Sequence, residues 1–184
     1  MRLLKFPLAA LAALSLLLSA STAVADVSHA GWPRIDGKLW QAKRTGQHDA
    51  VGTAFNDELL GAHGNDTIVG GAGNDVLWGD EMPSGQPTSQ HDRLFGGAGN
   101  DWIYTSHGTN YVDAGSGKDF VWAYYGHGTI NCGGGDDTAR VRMNGAYRLI
   151  GCEHVVHFCT WGDDRHGGCL KPGEKGARRQ PALG

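Results

Sequence analysis

The chain has 184 residues, 16 Lys and Arg against 19 Asp and Glu, and a formal net charge of −3. That mild acidity excludes the basic surface that nucleic-acid binding requires. Its 30 glycines, well above the usual share of about 7%, mean either disorder or a backbone held repeatedly in conformations only Gly tolerates. At the N-terminus, Arg2 and Lys5 precede an apolar run from Leu8 to Leu18 and the small-residue triplet Ala23-Val24-Ala25. This pattern reads as a secretory signal over residues 1–25, with cleavage before Asp26. The run is shorter than the roughly 20 apolar residues of a transmembrane helix, and no later segment is apolar enough to span a membrane. Loss of Arg2 and Lys5 takes the formal charge from −3 to −5.

Residues 26–51 carry no recognisable motif, are too short for an enzyme domain and are expected to cap the first turn of the next segment. From Gly52 the chain is periodic. Leu59, Ile68, Leu77, Leu94, Ile103, Val112, Val121, Ile130 and Ala139 recur every nine residues, with one interval of seventeen. The blocks include GTAFNDELL (52–60), GAHGNDTIV (61–69), GGAGNDVLW (70–78) and GGAGNDWIY (96–104), and they continue through CGGGDDTAR (132–140). The long interval, Gly79 to Phe95, is one repeat with an eight-residue insertion around Met82, Pro83, Gly85 and Pro87, within about residues 80–90. Six Gly- and Asp-rich residues suit a turn, and three alternating residues suit a short strand whose middle side chain points inward. Two such units make one turn of a flattened coil. The fold class expected for residues 52–140 is therefore all-β, a parallel β-roll with two strands per turn.

The core of such a roll is one aliphatic deep on each side. Burying about nine aliphatics at roughly 1.5–3 kcal/mol each does not offset the ordering of about 90 residues. Aspartates stacked turn upon turn would also repel one another unless a cation sits between them, and hard oxygen donors select calcium. The repeat matches G-G-x-G-x-D-x-U-x, with U a large aliphatic, and over about half of the chain the sequence resembles the RTX (hemolysin-type) calcium-binding nonapeptide-repeat proteins. The resemblance implies calcium held between the turns of repeats two apart, by sixth-position aspartates and main-chain carbonyls such as those of Gly71, Gly73, Gly97 and Gly99. Odd repeats carry Asp57, Asp75, Asp101, Asp119 and Asp137 at position six; even repeats carry Asp66 and Asp92, then Asn110 and Gly128. One edge is thus expected to bind up to four calcium ions and the other one at most.

Positions seven and nine flank the inward aliphatic and face the opposite way. On odd strands this places Trp78, Trp102, Tyr104, Phe120 and Trp122 side by side. The stripe is either a partner surface, for a glycan or a cell-surface protein, or the seat of a covering segment containing Trp32 and Trp40, or Trp161. The covering segment is the favoured alternative, because a one-layer roll benefits from a second layer.

Residues 141–170 lose the repeat but keep Leu149, Ile150, Val155 and Val156, as terminal strands that close the coil would; residues 171–184 read as a mobile basic tail. Four cysteines in an exported chain suggest two disulfides. Three pairings are open, and Cys132–Cys152 with Cys159–Cys169 is preferred. The cluster Cys152, His154, His157 and Cys159 is also of a type that suits zinc. His63, His91, His107 and His127 lie in the even turns at different loop positions, as solvated turn residues would. No metalloprotease, serine-hydrolase or phosphate-loop motif is present, so the expectation is a non-enzymatic, secreted, calcium-stabilised structural or interaction module of the cell exterior. The alternative is a small polysaccharide-active enzyme, or a glycan-binding protein, that uses the aromatic stripe with a carboxylate such as Asp80 or Glu81.

Overall fold

A computed structural model describes residues 31–80, 88–143 and 145–158. The expected signal, Glu81, Cys159, Trp161, Cys169 and the basic tail lie outside these residues. The first seven strands are β1 (Leu39–Gln41), β2 (Gly46–Val51), β3 (Glu58–Leu60), β4 (Gly64–Ala72), β5 (Val76–Trp78), β6 (His91–Ala98) and β7 (Trp102–Tyr104). Seven more complete the chain: β8 (Thr109–Gly117), β9 (Phe120–Ala123), β10 (His127–Asn131), β11 (Gly134–Gly135), β12 (Thr138–Arg142), β13 (Ala146–Ile150) and β14 (His154–Phe158). One sheet has the order β1-β3-β5-β7-β9-β12-β14 and carries the strands of the odd repeats. The other runs β13-β10-β8-β6-β4-β2, with β11 paired to β8. Every pairing is parallel, so the chain winds as a β-roll with one strand in each sheet per turn. Among the described residues no helix is long and apolar enough to cross a membrane.

The nine-residue phase becomes the register. Leu59, Leu77, Ile103, Val121 and Ala139 stack in one sheet and Ala50, Ile68, Leu94, Val112 and Ile130 in the other. All ten are buried and form a single core. Strand lengths differ from the uniform three residues expected. Strands β3, β5 and β7 have three, whereas β4 and β8 have nine, because they continue into the next odd turn, where Gly71, Gly97 and Gly115 pair in register.

Both ends of the coil are strands as well. At the front, β1 and β2 form a turn in which Trp40 aligns with Leu59 and Ala50 with Ile68. At the back, β13 and β14 close the coil, and the expected Cys132–Cys152 disulfide ties Cys132 to the segment between them. With Cys152 in a disulfide, the zinc alternative lacks one of its thiolates.

Close stacking explains the glycines. Gly97 has φ 111°, and a Cβ there would lie 2.1 Å from the Gly71 carbonyl oxygen of the preceding turn. Nothing lies within 4 Å of a Cβ built at Gly134. Gly97→Ala is expected to destabilise the protein by on the order of 3 kcal/mol or more, and Gly134→Ala by no more than about 0.5 kcal/mol. Denaturant unfolding in calcium measures both, and equal effects would contradict this packing.

Candidate metal centre

The odd-edge aspartates form a continuous column. Asp75 Oδ1 accepts the main-chain N–H of Asp57, Asp101 Oδ1 that of Asp75, Asp119 Oδ1 that of Asp101, and Asp137 Oδ1 that of Asp119, each at 2.8 Å. All five aspartates are fully or almost fully buried. The second oxygen, Oδ2, of Asp75, Asp101, Asp119 and Asp137 is buried with no hydrogen-bond partner. Four consecutive turns therefore each present one orphaned carboxylate oxygen, which a native fold tolerates only for a stated reason.

A carbonyl stands beside that oxygen. At two of these turns, at the first-position glycines Gly70 and Gly96, the space a Cβ would take is occupied by the Oδ2 of the same repeat and by the first-position carbonyl of the next odd repeat. At Gly70 these are Asp75 Oδ2 at 2.4 Å and Gly96 O at 2.6 Å; at Gly96 they are Asp101 Oδ2 at 2.4 Å and Ala114 O at 2.3 Å. The donor set is thus carboxylate plus main-chain carbonyl, the hard oxygens that suit calcium. Among the described residues no group of three or more His, Cys, Asp or Glu side chains is arranged to hold a metal without such carbonyls.

Burial disfavours charge on these groups. It raises the Asp75 carboxyl to about 6 and those of Asp101 and Asp119 to about 7, against bonds from the neighbouring N–H groups that work the other way. Neighbouring carboxylates add to the rise: Asp119 and Asp75 act on Asp101, and Asp137 acts on Asp119.

The column is closed at both ends by groups the repeat pattern does not specify. Asp57 is satisfied by the main-chain N–H groups of Lys38 and Thr53 and by the Thr53 hydroxyl. Beyond Asp137, Glu153 Oε2 accepts the Asp137 N–H at 3.0 Å and takes the place of a further aspartate. The repeat pattern pointed to the carbonyls of Gly71, Gly73, Gly97 and Gly99. The structure stacks these glycines turn on turn, and it brings two first-position carbonyls, of Gly96 and Ala114, to the space beside Gly70 and Gly96 that the carboxylates also border. The first-position glycines were the available signal.

The even edge differs. Asp66 takes the His48 N–H and ring on Oδ1 and the Ala62 N–H on Oδ2. Asp92 Oδ1 accepts the Asp66 N–H at 2.8 Å, and its Oδ2 accepts the Ser106 hydroxyl. Further along, Asn110 donates to Ser106 O and to the Tyr147 hydroxyl, which donates to Tyr125 O at 2.8 Å. Tyr147 aligns with Gly128, so a tyrosine from the next turn reaches into an edge where the sixth-position side chain is missing. Burial raises the Tyr147 hydroxyl far above its usual range and keeps it a neutral donor.

The aromatic stripe exists. Trp78, Tyr104 and Trp122 form one column, with ring centroids 5.1 and 6.1 Å apart, and Trp102 stacks on Phe120 at 4.7 Å. All are half-buried. Of the expected cover, Trp32 is in place, its indole N–H donating to the Tyr104 hydroxyl at 2.8 Å. Trp40 is not; it packs on the core at the front of the coil, because β1 turns it inward over Leu59.

The family model for the RTX calcium-binding nonapeptide repeat matches residues 51–81 and 88–121, in four copies. No curated protein matches the chain, and no solved structure does. The match covers the turns of Asp75, Asp101 and Asp119, with Asp137 beyond it, and repeats of this kind bind calcium: residues 51–81 and 88–121 are RTX calcium-binding nonapeptide repeats, wound as a parallel β-roll.

Proposed function

We propose that this is a secreted, non-catalytic module whose folding is stabilised by calcium along its odd edge, held by Asp75, Asp101, Asp119 and Asp137 with first-position carbonyls. The row of four buried, partnerless Oδ2 atoms carries the reading. Asp57 joins as the closing rung, and Asp66 and Asp92 belong to the less committed even edge. Repeats of this family are typically structural, which favours a scaffold over an enzyme. The bound ion supplies positive charge among carboxylates that otherwise repel, so metal binding becomes folding free energy. The exposed remainder of the aromatic stripe is the surface on which a glycan or a cell-surface protein would dock.

Circular dichroism of residues 26–184, first chelated and then titrated with calcium, is expected to show the β signal of a partly folded chain rising cooperatively to its full value, with magnesium ineffective. A fully folded chelated chain would remove calcium from the folding step.

The carboxyls also set a pH dependence. Asp101 and Asp119 hold their protons more tightly folded than unfolded, with folded values of about 7 against 3.8. The metal-free fold therefore binds more protons between those values. This contribution to stability is fully present below about pH 4 and lost as pH rises through 7. Calcium needs the ionised carboxylates, so its contribution runs the other way. Denaturation midpoints between pH 5 and 8 are expected to fall with pH in chelator and rise with pH in calcium. At pH 8 in chelator, Asp101→Asn keeps an acceptor for the Asp75 N–H and is expected to stabilise the chain by on the order of a few kcal/mol, while weakening the response to calcium. Parallel pH slopes with and without metal would refute the assignment.

A further inference from the structure

On the outer face of the sheet that carries the even repeats, register sets Arg93, Tyr111, Thr129 and Arg148 one turn apart, on β6, β8, β10 and β13. At about 4.8 Å per turn the two arginines stand roughly 14 Å apart, with the tyrosine between them. Both arginines are exposed, as are His91 and His127 beside them, and Tyr111 is 38% exposed. The Arg93 guanidinium lies 5.7 Å from the Tyr111 ring and 5.6 Å from that of Phe95, and the two rings are 5.8 Å apart. Cation–π contacts therefore hold Arg93 in place, and neither arginine forms an ion pair with a described residue. The acids on this face are Asp49, two turns before Arg93 in the same column, and Asp113, aligned with Phe95 in the next, where it accepts the Asn131 amide at 3.3 Å. An open groove of about 250 Å³ runs beside the row, lined by His91, Asp92, Arg93, Thr109 and Tyr111.

We propose that this row binds a linear polysaccharide bearing carboxylates, laid along the axis of the coil. Strands β6, β8 and β10 are paired on both sides, so their face offers an extended peptide no free main chain to join as a further strand. What it offers instead is an aromatic ring, hydroxyls and separated guanidinium groups. Tyrosine presents a flat apolar surface with a polar tip, which matches the apolar face and hydroxyl rim of a sugar ring. An arginine without an acid of its own is free to bind a carboxylate through two parallel N–H bonds. The turns repeat at about the advance of one sugar in an extended chain, so successive sugars meet successive turns. Carboxylates three turns apart then meet Arg93 and Arg148. This surface is separate from the aromatic stripe of the odd strands, and it requires a folded roll but no particular number of bound ions.

The test is isothermal titration calorimetry of residues 26–184 in calcium with hexagalacturonate, circular dichroism confirming that each variant is folded. The wild type is expected to bind the hexamer, and to bind its methyl ester, which keeps the sugars and lacks the charge, more weakly by about tenfold or more. Tyr111→Ala, Arg93→Gln and Arg148→Gln, all changes to exposed side chains, are each expected to lower affinity for the hexamer by a similar factor. Lys118→Gln removes a positive charge that is exposed on the odd edge, and is expected to change affinity by less than about twofold. Absence of binding by the wild type overturns the proposal, as does a loss in Lys118→Gln equal to that in Arg93→Gln. Tighter binding of hexaglutamate than of hexagalacturonate would assign the face to an acidic peptide instead. If Trp102→Ala abolishes binding and Tyr111→Ala does not, the sugar sits on the aromatic stripe: this site is then wrong and the proposed function stands.

Discussion

A buried aspartate that hydrogen-bonds the main chain of the aspartate one turn away is the contact on which the rest of this roll depends. It fixes the spacing of successive odd turns at one strand separation and uses one carboxylate oxygen to do so. The other oxygen is left in a dry place, beside a carbonyl and in line with other acids. Burying an unpaired carboxylate is expensive enough that the group either takes up a proton or takes a cation. The same contact dictates glycine at positions 70 and 96, where a Cβ would collide with both the carboxylate and the carbonyl, whereas Ala114 and Cys132 stand at position one further along the column.

The two edges solve the same problem differently. On the odd edge the carboxylates are left with spare oxygens; on the even edge they are consumed by His48, Ala62 and Ser106, and beyond them Asn110 and Tyr147 form a neutral network. A neutral network needs no ion, because each donor meets an acceptor. The Cys132–Cys152 disulfide fastens the back of the coil, where the repeat signature fades and the last aliphatic rungs shrink to Ala139. Where the aspartate column stops at Asp137, Glu153 and a covalent link take over.

The nine-residue phase was legible because a solenoid transfers sequence period directly into register: every aliphatic expected inside, from Leu59 to Ala139, is inside. Parity was legible for the same reason and placed the aromatic columns. What escaped has no period. The front turn, with His48 aligned to Asp66 and Ala50 to Ile68, lacks the doubled glycine that marks a repeat. Tyr147 acts 37 residues from Asn110 in sequence, and Glu153 substitutes for aspartate from a segment with no repeat. Trp40 was expected in the segment covering the stripe on residue type alone, and strand register turned it inward.

The metal edge and the aromatic face are not independent parts of the surface. In each odd repeat the sixth-position aspartate is followed directly by an outward residue, an inward aliphatic and a second outward residue, as in Asp101, Trp102, Ile103 and Tyr104. The Asp75 carbonyl accepts the Trp102 N–H and the Asp101 carbonyl the Phe120 N–H, each at 2.8 Å, so the ladder bond next to the carboxylate column is also the first bond of the aromatic strands. Tyr104 lies between Trp78 and Trp122 because those strands are one rung apart. Charge repulsion that loosened the column would act first on that bond and then on the ring spacing. A cation that held the aspartates together would therefore hold the aromatic columns in register, because only two residues separate position six from position nine.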